Sequence, residues 1–228
     1  MNAIAVVIGA TGGIGDALIR ALGEDAAYDT VVALSRGSTP PLELTSEESV
    51  AAAAAFIAAQ GTPRLVIDAT GVLQSETVKP EKSWREIDAA QMARSFAINA
   101  IGPALVMKHF LPLLPREGSA VFATLSARVG SIGDNRLGGW YSYRASKAAL
   151  NQLVRTAAIE LNRRSPNAIC VALHPGTVDT GLSASFAKTG LEVQTPEQAA
   201  RRLLAVIQRL TAADSGGFFD YKGEAITW

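Results

Sequence analysis

The chain has 228 residues, 48% of them hydrophobic, with 21 basic and 21 acidic side chains. This length suits one substantial core, so we expect a single domain over residues 1–228. The balanced charge disfavours nucleic acid as a partner, and we find no uncharged apolar run long enough for a membrane span. The single cysteine, Cys170, excludes an internal disulfide and fits a cytoplasmic location. Because the chain has one cysteine and two histidines, we do not expect a metal site.

Short β-branched runs alternate with longer helical stretches along the chain. Strands are predicted at residues 4–8, 30–34, 64–68, 120–125, 168–173 and 217–219. Helices are predicted at residues 13–22, 47–59, 84–97, 101–114, 141–164 and 196–210. Several of the strands are apolar without alternation, as in a sheet that is covered on both faces. The order predicts an α/β fold: a doubly wound parallel sheet of Rossmann type, in three layers.

A glycine-rich stretch, residues 9–15, lies between the first predicted strand and the first predicted helix. Glycines at such a turn let the backbone approach a pyrophosphate, whose charge then lies against free N–H groups at the helix N-terminus. Glycine also occurs in loops for purely conformational reasons. The position between strand and helix nevertheless predicts nucleotide binding, by Gly9, Thr11, Gly12, Gly13, Ile14 and Gly15.

The end of the second strand indicates which dinucleotide binds. NAD-binding proteins usually place a carboxylate on the adenosine ribose about 20 residues past the glycine loop. Here the strand is followed by Ser35 and Arg36 instead. A guanidinium can hold a 2′-phosphate by bidentate hydrogen bonds, so the pair favours NADP(H). The alternative is a solvated arginine that opens a loop.

Tyr143 and Lys147 lie four residues apart near the start of the predicted helix 141–164. Residues at this spacing share a helix face, so the phenol and the ammonium can point into one cleft. A nearby cation stabilises a phenolate, which makes tyrosine a usable acid–base group. Such pairs are also common on ordinary helix surfaces. Tyr141 has Ala145 at the same spacing and so lacks a cation.

Six motifs, taken together and in order, resemble the short-chain dehydrogenase/reductase family over essentially the whole chain. They are the glycine loop, residues 68–71, 96–99 and 125–126, the Tyr143/Lys147 pair, and residues 174–180. The stretch 133–140 is similar to a narrower subgroup that includes the C-factor signalling proteins and small carbonyl reductases. The resemblance implies an NADP(H)-dependent oxidoreductase that transfers a hydride between nicotinamide and a small carbonyl or alcohol substrate.

The resemblance also implies a role for each matching residue. Tyr143 would exchange a proton with the substrate oxygen. Lys147 would lower the pKa of that tyrosine and bind the nicotinamide ribose. Asn99 would anchor a water beside Lys147, and Ser126 would hold the substrate oxygen. Asn99, Tyr143 and Lys147 thus also belong to the cofactor site, with further contacts expected from Glu43, Leu44, Ala69, Thr70, Gly71, Pro175, Gly176, Val178 and Thr180.

The sequence departs from the family pattern at the serine. The family's serine usually lies three residues before the glycine that is Gly130 here, and this chain has Ala127 at that place. Ser126 is one step away, and Ser131 is the alternative. We favour Ser126, because a donor at the end of a strand is better positioned than one on a loop. The alternative function is a cofactor-binding signalling or regulatory protein with little turnover.

Two stretches are expected to form the substrate pocket, residues 182–193 as a lid and residues 134–140 as a wall. The helical stretches 101–114 and 150–161 have broad apolar faces. Paired across a two-fold axis, such faces would form a homodimer or part of a homotetramer, which the resemblance also implies.

Overall fold

Six parallel strands form the central sheet of the computed structural model, which describes residues 3–74, 79–180 and 192–228. The strands in chain order are β1 (Ala3–Ile8), β2 (Thr30–Leu34), β3 (Thr62–Asp68), β4 (Ala120–Leu125), β5 (Ala168–His174), β6 (Thr177–Val178), β7 (Val193–Gln194) and β8 (Phe218–Asp220). The large sheet has the order β2-β1-β3-β4-β5-β8, while β6 and β7 pair separately. The predicted doubly wound parallel sheet is confirmed.

The helices lie on both faces of this sheet. They are α1 (Gly13–Gly23), α2 (Glu47–Gln60), α3 (Ala89–Phe96), α4 (Gly102–Phe110), α5 (Tyr141–Arg164) and α6 (Pro196–Arg209). Alternate residues of β1 enter opposite cores: Ile4, Val6 and Ile8 pack with α2, α4 and α5, whereas Ala5 and Val7 pack with α1 and α6. The sheet is therefore the middle of three layers, which explains why its strands are apolar without alternation.

The strand order reverses between β1 and β3, because the chain proceeds to β2 on one side of β1 and to β3 on the other. In open α/β sheets, ligands bind at the carboxyl ends of the strands beside such a switch point. The glycine loop follows β1, and Asp68 ends β3. The topology thus places two of the sequence motifs at the two sides of one crevice.

Two predicted helices are wrong in their boundaries. Residues 84–97 do not form one helix: a 3₁₀ turn, Trp84–Glu86, precedes α3, which begins after Asp88 because that carboxylate caps it by accepting from Gln91 N (2.8 Å). No break separates α3 from α4, because a π-helical turn, Ala97–Ile101, joins them. The last predicted strand is shifted by one residue, to β8.

The helical stretch Ala89–Leu113 is 25 residues long, with a mean hydropathy of 1.3 in its most apolar part. By length and composition alone it could cross a membrane, and it is the one helix in the described ranges of the chain that meets this test. Part of its surface is buried inside the protein, where Val106 and Phe110 are fully enclosed in the core. A core helix satisfies the same criterion, so this stretch is weak evidence for a membrane span.

Candidate active site

The loop after β1 is shaped for close approach of a ligand to the backbone. Gly9 has φ +83°, a conformation that favours glycine, and its amide donates to Leu34 O (2.9 Å). A Cβ on Gly15 would lie 2.2 Å from Gly9 O, so the first turn of α1 can pack on the loop only with glycine there. The first-turn N–H groups of α1 have no intrahelical acceptors and face the loop, as a phosphate site requires.

Arg36 lies two residues past the end of β2, whose last carbonyl, Leu34 O, accepts from the glycine loop. Its side chain is exposed and makes no hydrogen bond or ion pair with the residues that the structure describes. Ser35 accepts from Gly37 N through its hydroxyl (3.2 Å) and shapes the turn. Glu43 accepts from Thr45 N and Oγ1, and the partly buried Leu44 packs against the core. Arg36 is thus available for an anionic group, whereas Glu43 and Leu44 have local structural contacts.

The segment after β5 returns to the glycine loop. A Cβ on Gly13 would lie 2.9 Å from Thr180 Cγ2, so the two motifs are in contact. Gly176 has φ +80°, and a Cβ there would lie 2.4 Å from Gln194 Nε2, the amide that donates to Pro175 O (3.0 Å). Val178 is buried in β6. Thr180 therefore lies against the loop after β1, and the other predicted cofactor residues of this segment lie between it and the end of β5.

Tyr143 and Lys147 lie on one face of α5, and Lys147 Nζ is 6.0 Å from the centroid of the tyrosine ring. Lys147 is almost fully buried and donates to Leu125 O at the end of β4 (2.8 Å). Burial lowers the pKa of its ammonium to about 8, while the negative charge of Asp68 opposes this shift. Burial raises the pKa of the Tyr143 phenol above its ordinary value, so the lowering expected from Lys147 is not seen in the free protein. The phenol is therefore protonated at neutral pH, as a proton donor must be.

Asp68 is a buried carboxylate in the middle of this arrangement. It accepts from Thr70 N and Oγ1 (3.1 and 2.5 Å) and from Thr124 Oγ1 (2.9 Å). Burial raises the pKa of its carboxyl group; those hydrogen bonds and the Lys147 charge oppose the shift. Thr70 Cγ2 also lies 3.0 Å from where a Cβ on Gly9 would be, next to Ala69. The strand-end motif thus links the glycine loop to the lysine.

Asn99 lies in the π-helical turn, a distortion that is frequent at functional sites. It is fully buried, accepts from Val72 N and donates to Val72 O (both 2.8 Å), and donates to Ser146 Oγ (3.2 Å). A Cβ on Gly71 would lie 3.4 Å from both Asn99 Oδ1 and Lys147 Nζ. Asn99 therefore ties the segment after β3 to α5 beside the lysine.

The two candidate serines are both buried. Ser126 directly follows β4 and donates to Asn151 Oδ1 of α5 (2.6 Å). Ser131 accepts from Asp134 N (3.0 Å) at the start of the predicted wall, residues 134–140. The Ser126 hydroxyl has a single proton, which it donates to Asn151, so it must rotate away from Asn151 Oδ1 to donate to a substrate carbonyl oxygen. The role of Ser126 with substrate stays a prediction.

Sequence reasoning missed the residues that hold the predicted wall. Arg144 donates to the carbonyls of Gly139, Val129 and Gly138 (3.0, 3.2 and 3.2 Å). The buried Glu81 accepts from Ser142 at the start of α5. Neither residue belongs to a recognised motif, and no sequence pattern pairs positions about sixty residues apart. Most of the predicted lid, residues 182–191, lies outside the described residues.

Comparison with known proteins shows which family the chain belongs to. The family model described as "Enoyl-(Acyl carrier protein) reductase" matches residues 16–212. The chain belongs to the short-chain dehydrogenase/reductase family. It is accordingly an oxidoreductase of this family, and the family's cofactor is a nicotinamide dinucleotide.

Two related proteins and one solved structure illustrate how similar the chain is to other members of the family. A Rhodococcus protein, 1-hydroxy-2-glutathionyl-2-methyl-3-butene dehydrogenase, is 35% identical over 233 residues, covering 98% of each chain. The C-signal protein of Myxococcus xanthus is 40% identical over 143 residues, covering 63% of this chain and 82% of its own. The NADPH-bound carbonyl reductase from chicken fatty liver superposes with a TM-score of 0.86 at 26% identity, covering 100% of this chain and 94% of its own.

Proposed function

We propose that this oxidoreductase is an NADPH-dependent carbonyl reductase or alcohol dehydrogenase acting on small carbonyl or alcohol substrates. The observation that carries the proposal is the buried Lys147 beside Tyr143, at the sheet edge where the glycine loop and Arg36 also lie. The NADPH-bound chicken carbonyl reductase supports the assignment by similarity. A binding protein with little turnover is less favoured, because the relative that matches along nearly the whole chain is a dehydrogenase.

The residues present fit a phosphorylated dinucleotide. Gly9 and Gly15 let the loop after β1 pack closely on the first turn of α1, whose unpaired N–H groups are suited to a phosphate. Arg36, exposed at the end of β2, supplies a guanidinium for a 2′-phosphate. Lys147 lies at the end of β4, two strands away from β1, where the nicotinamide half would bind, whereas Thr180 contacts the glycine loop itself. When bound, the cofactor supplies the hydride.

The side chains of the protein transfer a proton and bind the substrate. Tyr143 donates its phenolic proton to the carbonyl oxygen during reduction and accepts it from the alcohol in the reverse direction. The positive charge of Lys147 then stabilises the phenolate that reduction leaves behind. The hydrogen bond to Leu125 O holds the Lys147 side chain in place, and Asn99 holds the neighbouring segment around Gly71. Ser126 is the proposed hydrogen-bonding partner of the substrate oxygen.

Consumption of NADPH in the presence of a panel of aldehydes and ketones tests this proposal. We expect substrate-dependent loss of the reduced nicotinamide absorbance with at least one class of carbonyl, and faster turnover with NADPH than with NADH. Tight NADPH binding with no turnover across the panel would instead favour the signalling alternative. Failure to bind either cofactor would refute both.

We also propose that the protein forms homodimers through α4 and α5. A surface groove of about 340 Å³ between them is lined mostly by apolar side chains, among them Met107, Leu111, Leu153 and Ala157, together with the charged Lys108, Glu160 and Arg164. A second copy of the same face would complement it across a two-fold axis. Light scattering after size exclusion should report twice the mass of 23.8 kDa or a multiple of it, and a Leu153→Arg variant should report the monomer.

A further inference from the structure

The start of the catalytic helix has an unusual backbone conformation. Gly138, Gly139 and Trp140 are all left-handed, with φ of +63°, +66° and +56°. Glycine adopts this region freely, but for a large side chain such as tryptophan it is a true outlier. Outliers of this kind persist only where their surroundings hold them, and they cluster at functional sites. We therefore expect a contact from another residue to hold Trp140 in its left-handed backbone conformation.

Glu81 supplies that contact from a distant part of the chain. Its carbonyl oxygen accepts from Trp140 N (2.5 Å), and a Cβ on Gly139 would lie 3.4 Å from the same oxygen. Its carboxylate accepts from Ser142 N (3.2 Å) and from Ser142 Oγ. Glu81 and Ser142 are each only 2% exposed. One residue thus binds both the left-handed tryptophan and the first turn of α5.

These contacts replace a cap that the sequence of α5 does not provide. Trp140 is the N-cap residue and offers no side-chain oxygen to the first-turn N–H groups. The Glu81 carboxylate does so from outside the helix, where a negative charge also complements the helix dipole. Arg144 holds the other side of the turn through Gly138 and Gly139. The start of α5 is thereby fixed from two directions.

Trp140 also contacts Tyr143, the proposed acid–base group. The ring of Trp140 meets the ring of Tyr143 edge to face, with centroids 6.2 Å apart and an interplanar angle of 67°. We propose that Glu81 is a positioning residue: its carboxylate, bound to Ser142, holds its own main-chain carbonyl on Trp140 N, which fixes Trp140 against Tyr143 and so orients the phenol and this wall of the substrate pocket. This inference rests on the proposed function only for its effect on turnover. The placement of Trp140 is a claim about the free protein.

The first test compares Glu81→Ala with Glu81→Gln and with the control Glu86→Gln. Glu86 is an exposed carboxylate in the same segment that accepts from Lys82 N (2.8 Å). We expect Glu81→Ala to lower kcat by about 10- to 100-fold, the scale of a displacement of about 1 Å, while the KM for NADPH stays within about twofold. Glu81→Gln should recover most of the loss, because an amide can accept from Ser142 N and donate to Ser142 Oγ. An unchanged kcat in Glu81→Ala, or Glu81→Gln as impaired as Glu81→Ala, would overturn the proposal.

The second test needs no turnover. In a Trp84→Phe/Trp228→Phe background, Trp140 is the sole tryptophan, since the chain has three. Adding Glu81→Ala should lower the fluorescence anisotropy of Trp140 and raise its quenching by acrylamide, and the milder Ser142→Ala, which removes only the hydroxyl, should shift both in the same direction. Identical anisotropy and quenching in all three proteins would overturn the proposal. If the wild type turned over no carbonyl, the proposed function would fail while this measurement still decided the role of Glu81.

Discussion

Replacing Asp68 by asparagine should change how Lys147 titrates. The carboxylate is fully buried at the end of β3, and its charge raises the pKa of Lys147 against the lowering effect of burial, which leaves that pKa at about 8. An asparagine has nearly the same shape and keeps hydrogen bonds to Thr70 and Thr124, whose hydroxyls can reverse direction. The substitution therefore removes a charge with little change in packing.

The expected magnitude follows from the charge state of the lysine. A nearby opposite charge shifts a pKa by about 1–3 units, and the Asp68 charge raises the pKa of Lys147, so we expect that pKa to fall by about one unit or more in Asp68→Asn. With a pKa of about 8, about nine-tenths of the lysine is charged at pH 7; with a pKa one unit lower, about half is. If reduction requires the ammonium, kcat/KM should fall about twofold at pH 7 and about fivefold at pH 8.

The pH profile of kcat/KM for carbonyl reduction checks this prediction, because it reports groups of the free enzyme. The wild type should lose activity as the pH rises through about 8, by about tenfold per unit well above that value. The same limb should lie at lower pH in Asp68→Asn. A matched control is Asp25→Asn, whose carboxylate accepts from Ala27 N in a turn after α1. A limb that stays in place in Asp68→Asn, or moves to higher pH, would refute the reasoning.

Three further predictions concern the other groups of the site. Tyr143→Phe should lower kcat by about 10²–10⁴-fold with NADPH binding retained, whereas Tyr141→Phe keeps most activity; equal losses would exclude Tyr143 as the acid–base group. Arg36→Asp should move the preference toward NADH, as measured by the ratio of kcat/KM for the two cofactors; a wild type that binds both equally would contradict a 2′-phosphate contact at Arg36. Ser126→Ala should lower kcat by about 10²–10³-fold and Ser131→Ala by much less; the reverse order would assign the substrate contact to Ser131.

Much of the fold is determined by local sequence. The runs before residues 9–15 and at residues 120–125 and 168–173 are apolar except for Thr124 and do not alternate, which is the pattern of strands covered on both faces. The Tyr143/Lys147 pair is likewise readable, because helical geometry alone places residues at i and i+4 on one face. Residues 141–164 form a single helix with those bounds, as predicted.

The π-helical turn at Asn99 is a feature that the local sequence does not predict. The sequence 97–101 has ordinary helix formers on both sides and no marker of a distortion, so two separate helices were predicted there. In the structure the turn is fixed by hydrogen bonds from Asn99 to Val72 and to Ser146, on two other segments of the chain. Such a distortion depends on partners that a sequence window does not contain.

The chemistry of the site likewise depends on tertiary contacts. Asp68 and Lys147 are 79 positions apart in sequence, and their electrostatic coupling exists because β3 and β4 are neighbours and Lys147 of α5 reaches Leu125 O at the end of β4. Glu81 is brought to Ser142 in the same way. The pKa of a buried group depends on which charges and hydrogen bonds surround it after folding. The sequence determined which residues are available for catalysis, whereas only the tertiary structure decided which of them share one low-dielectric crevice.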